Sequence, residues 1–130
     1  MTDKAIDFAS RRKKLSELVL DDSVILLSSS NIKFRNSDAD YPFRQDSNFY
    51  YLSGFNEPES IIVIRPSAKK RKYVIFCRDR DPLREQWDGF RSGQDGARKV
   101  HGADEAYSIS LVDEIMPELL EGSRNIYYSM

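Results

Sequence analysis

Three short apolar runs constrain this chain most: Ser23-Val-Ile-Leu-Leu27, Ile61-Ile-Val-Ile64 and Tyr73-Val-Ile-Phe-Cys77. None contains a charge, and none alternates apolar with polar. A strand with one wet face alternates, whereas an unbroken β-branched run is a strand covered on both faces. The runs therefore predict an α/β chain with helices on both sides of a sheet. Eight residues rich in Lys, Pro and Ser separate the second run from the third. That is too short for a crossover helix, so these two form an antiparallel hairpin.

Around the runs lie helix signals. Residues 3–20 place Phe8, Leu15, Leu18 and Val19 near one face, and Asp21-Asp22 close the segment. Asp81-Pro82 predicts a helix start, because Asp caps and Pro at the first position loses no needed donor. That helix runs to Trp87 and stops at Gly89. Ser110 to Asp113 matches a relaxed capping box ahead of Ile115 and Met116, and Pro117 is expected to break or kink the segment before Gly122. The glycines at 89, 93 and 96 fit neither a dinucleotide fingerprint nor a phosphate loop and read as loop and cap residues. A last apolar run, Ile126-Tyr-Tyr128, resembles a strand cut from a longer protein.

At 130 residues the chain is bounded to one domain. A single cysteine, Cys77, cannot form an internal disulfide and sits inside an apolar run, so a buried, inert thiol in a reducing, cytoplasmic setting is expected. No apolar stretch nears the roughly 18–20 residues of a membrane span. A net charge of −1 argues against nucleic acid as a partner. The basic clusters RRKK at 11–14 and KKRK at 69–72 read as a solvated helix face and a charged hairpin turn. His101, the only histidine, lies in a loop with no nucleophile motif to pair with. Among the carboxylates Asp38, Asp40, Asp46, Glu57, Glu59, Asp79 and Asp81, spacing alone shows no metal or two-carboxylate site.

The segment 41–55 holds six of the chain's fifteen aromatics. One reading is a core-forming turn: Ser47 caps, Phe49 and Leu52 face inward, and Gly54 ends it. The other is an exposed aromatic docking surface. Trp87, at a helix end beside a glycine-rich loop, divides in the same way between core and surface.

The whole run Tyr41-Pro-Phe-Arg-Gln-Asp-Ser-Asn-Phe-Tyr-Tyr-Leu-Ser-Gly-Phe-Asn-Glu-Pro-Glu59 resembles a signature of the N-terminal domain of Xaa-Pro aminopeptidases (aminopeptidase P). Arg78-Asp-Arg-Asp-Pro82 and Glu85-Gln-Trp-Asp-Gly-Phe-Arg-Ser-Gly-Gln-Asp-Gly-Ala97 resemble the next two blocks, in order. The resemblance covers residues 8 to 130. It implies a three-layer α/β/α fold with a mixed, ribonuclease H-like sheet. It also implies a parent metallopeptidase that releases the N-terminal residue from peptides with proline second. Two manganese ions would sit in a C-terminal domain absent from these 130 residues, so neither a catalytic nor a metal-binding residue is carried over, and the chain alone is expected to be inactive. Trp87 and Asp38 match positions that line the mouth of the active site, partly across a subunit boundary in a homo-oligomer. Phe90 stands where the family varies. The alternative is a non-catalytic, peptidase-like module that binds proteins or peptides.

Overall fold

The computed structural model describes residues 3–29 and 47–128. The first helix, α1 (Asp3–Leu18), leads into strand β1 (Ser23–Ser28), and α2 (Ser47–Ser53) into β2 (Ile61–Ile64) and β3 (Tyr73–Cys77). Helices α3 (Pro82–Asp88) and α4 (Gly93–Lys99), strand β4 (Glu105–Ser108), a 3-10 turn at Ile109–Leu111, α5 (Val112–Leu120) and β5 (Asn125–Tyr128) complete the order. The sheet runs β4-β3-β2-β1-β5. Its centre is an antiparallel meander, with Ile25 opposite Ile64 and Ile62 opposite Ile75. Both outer strands are parallel additions, β5 on β1 and β4 on β3. The sheet is therefore mixed, with the predicted hairpin at its centre.

The unbroken apolar runs split by side, because successive side chains point to opposite faces. Ile25, Leu27, Ile62, Ile64, Tyr73, Ile75 and Cys77 face one core, which Leu15 of α1, Phe49 and Leu52 of α2 and Ala97 of α4 cover. Val24, Val63, Val74 and Phe76 face the other, under Ile115, Met116 and Leu119 of α5. Truncating one of the fully buried rings, Phe49, Phe55 or Phe76, to alanine would cost about 3–5 kcal/mol.

Several local expectations change. Gly96, read as a loop or cap residue, lies inside α4, and Gly93 opens that helix with φ +70°. Strand β4 had no apolar run to reveal it, since Glu105-Ala-Tyr-Ser108 is a half-buried edge strand. Pro117 does not break α5, which runs on to Leu120. The proline removes one hydrogen bond, to the carbonyl of exposed Asp113, where water can replace it, while Leu119 beyond it is anchored in the core. The capping box at Ser110 is not made either. Ser108 caps the 3-10 turn instead, accepting from the Ser110 N–H at 3.3 Å.

Candidate functional site

Residue Cys77 ends β3, and the chain beyond it leaves the sheet through four charged residues, Arg78 to Asp81. Asp81 is extended (φ −149°), and its carboxylate accepts the Arg84 N–H at 3.2 Å. With Pro82 in the first turn, this starts α3 as the sequence predicts. Gly89 at φ +101° closes the helix, a conformation open to glycine at little cost. On seven residues of helix, Leu83 and Trp87 fall four apart and share a face. They are 74% and 86% exposed, and Phe90 just beyond is 70% exposed. No described side chain of residues 82–90 belongs to either core. Trp87 is thus a surface residue, and the core reading of it does not hold.

Beneath this apolar face lies a polar network in which all three sequence blocks meet. Glu57, from the first, is buried; it accepts from Arg78 Nη2 of the second at 3.4 Å and from the Ser92 N–H of the third at 2.8 Å. Asp79 accepts from Gln94 Nε2 and Ser108 Oγ, both at 3.2 Å, and its carbonyl accepts from Arg91 Nη1 at 3.1 Å. Glu85 accepts from Arg80 Nε at 2.9 Å, the Asp81 N–H at 2.8 Å and the Arg91 N–H at 3.1 Å. The Arg80 bond, with the two backbone donors, holds the Glu85 carboxyl down to about 2. Arg80 also lies over the Phe90 ring, 5.1 Å from its centroid. An open basin of about 640 Å³ beside α3 is lined by Arg78, Asp79, Arg80, Asp81, Arg84 and Arg91, among others.

An exposed indole and a charged basin on one segment can make apolar and ionic contacts. The Cys77 thiol is pushed up to about 12 by burial, then by the charges of Glu57 and Asp79, so it is no nucleophile at neutral pH. His101 packs edge-on against Phe55 at 4.8 Å, and burial lowers its pKa. Among the described residues no three His, Cys, Asp or Glu side chains converge as a metal-ligand set. The residues described here do not fit a bound metal. Asp38, paired with Trp87 in the sequence reading, lies outside the described residues, as do Asp40 and Asp46.

Sequence reasoning missed Glu85. A capping box puts its acid three residues after the cap, at position 84, which here is arginine. The acid four residues after Asp81 was the available signal.

Among the described residues the aromatic block divides, the core reading holding for part of it, while Tyr41 and Phe43 lie outside those residues. Phe49, Leu52 and Phe55 are buried, whereas Tyr50 and Tyr51 are exposed. Tyr50 meets Phe8 edge-on at 5.7 Å, and Arg11 sits 4.3 Å from the Tyr51 centroid. Ser47 opens α2.

Comparison with known proteins matches this architecture across the chain. Residues 8–127 match the family described as Aminopeptidase P, N-terminal domain. A Xaa-Pro aminopeptidase of Haemophilus influenzae is 39% identical over 122 residues, 94% of this chain and 28% of the relative. The structure of Pseudomonas aeruginosa aminopeptidase PepP superposes with a TM-score of 0.89 at 44% identity, over 97% of this chain and 28% of that one. Zinc-substituted Escherichia coli aminopeptidase P in complex with product gives 0.84 at 36% identity, over 95% and 28%. The chain thus spans little more than a quarter of the length of these relatives. It belongs to the aminopeptidase P N-terminal domain family.

Proposed function

We propose that this chain is the N-terminal domain of a cytoplasmic Xaa-Pro aminopeptidase. In this reading a C-terminal domain beyond these residues holds two manganese ions and performs the hydrolysis. The domain described here walls the active site, contributes oligomer contacts and presents Trp87, with Asp38, at the substrate mouth. The observation that carries the reading is the exposure of Trp87 on a helix outside both cores, within a domain whose relatives are Xaa-Pro aminopeptidases. A large aromatic side chain left in water on a capped helix suits contact with an apolar group, and an indole face packs well against a proline ring. Zinc in the Escherichia coli relative supports a metalloenzyme parent.

Two measurements test this. The 130-residue chain with added manganese should not cleave an Xaa-Pro peptide, and cleavage would overturn the placement of catalysis elsewhere. In the longer enzyme, Trp87→Ala should raise KM by roughly threefold to tenfold with kcat little changed, as expected for loss of an aromatic contact of about 0.5–1.5 kcal/mol. An unchanged KM would remove Trp87 from the substrate mouth.

A further inference from the structure

We infer that Glu85 is a positioning residue: its carboxylate closes the excursion that carries Trp87 and so fixes where the indole is presented. This deepens the reading of Trp87 as a substrate-facing residue and rests on it. Although Leu83 and Trp87 on the same helix are exposed, the Glu85 side chain is only 10% exposed. Oε2 accepts from Arg80 Nε and from the Asp81 N–H, both before the helix; Oε1 accepts from the Arg91 N–H, after it. One carboxylate thus holds both ends of the segment 82–90. A seven-residue helix is marginal on its own, and no described side chain of this one is buried in either core. The cap at Asp81 holds the start of α3; it does not reach the returning chain, which Glu85 does.

The chemistry suits a carboxylate in particular. Ionised, it is acceptor-only and offers about four lone-pair sites on two oxygens, so it takes three converging donors and leaves none of them facing another donor. A glutamine would turn an NH2 towards at least one of them. Arg80 extends the hold outward, because the guanidinium that bonds Glu85 also lies over Phe90.

Trp87 is the chain's only tryptophan, so its fluorescence reports on this segment alone. Time-resolved anisotropy of the 130-residue chain should show restricted segmental motion in the parent and a larger nanosecond amplitude in Glu85→Ala and Glu85→Gln. If Glu85→Ala unfolds the chain by circular dichroism, the isosteric Glu85→Gln carries the same comparison. Parent-like anisotropy in folded variants overturns the inference. In the longer enzyme, Glu85→Ala should raise KM for an Xaa-Pro peptide by no more than the roughly threefold to tenfold of Trp87→Ala, with kcat little changed, and this effect should vanish in a Trp87→Ala background. An equal rise in both backgrounds means that Glu85 acts independently of Trp87, which also overturns the inference. A parent-like KM in Trp87→Ala alone would instead sink the substrate role of Trp87, leaving the anisotropy to decide on the clamp.

Discussion

Gly54 ends the aromatic block with φ +67°, and the ring of Phe8 from α1 occupies the space that a Cβ would take. Gly54→Ala would meet two costs, roughly 1–2 kcal/mol for a left-handed alanine and about 1–3 for overpacking. A loss of about 2–5 kcal/mol in urea denaturation is expected, and an unchanged midpoint would mean that Phe8 gives way freely. At this scale sequence reading foresaw the glycine but not its neighbour. The RRKK cluster likewise read as solvated. In the structure Arg12 lies 3.9 Å from the Tyr73 centroid and donates to the Leu52 carbonyl at 2.9 Å, while Arg11 donates to the Tyr51 carbonyl at 3.2 Å. These arginines tie α1 to α2 and the sheet through stems and planar faces, which a count of charges does not register.

Among the elements, α3 is built from local signals and stands apart from both cores. Asp81→Ala should therefore cost about 1 kcal/mol locally, raising amide exchange across residues 84–88 while the global unfolding midpoint hardly moves. An equal fall in the midpoint would place α3 inside the cooperative unit. The strands of the central meander were legible because each is apolar on both faces. Strand β4 was not, since as an edge strand it is half-exposed along its length, and α4 was not, since glycine disfavours helix. What holds α4 is Ala97, buried against the sheet, a contact decided by tertiary packing. Pro117 misled for a related reason: the proline rule gives the cost of one hydrogen bond and omits the anchoring of Leu119. The site was half legible. The cap followed from neighbours in sequence, whereas the exposure of the indole was left open between core and surface, and the Glu85 clamp closes over a loop; both needed coordinates.

For the molecule as a whole, pH separates two contributions. Burial holds the His101 pKa below its ordinary 6.5. Between the folded value and 6.5 the unfolded chain binds the extra proton, so this contribution is complete above 6.5 and is lost as pH falls below it. Glu85, lowered from 4.5 to about 2, contributes fully above 4.5 and loses its part as pH falls towards 2. The melting temperature should therefore decline in two stages on acidification, and His101→Gln should flatten only the upper one. A single acid transition in the parent would refute the role given to His101. The strand order has a separate consequence, for biosynthesis. The meander of β1, β2 and β3 is complete once residue 77 has been made, but β1 waits for its other neighbour until Asn125 pairs with Ser23. A nascent chain therefore carries an open hydrogen-bonding edge on β1 while residues 78–124 are made, and an unpaired strand edge is a template for pairing with the wrong partner.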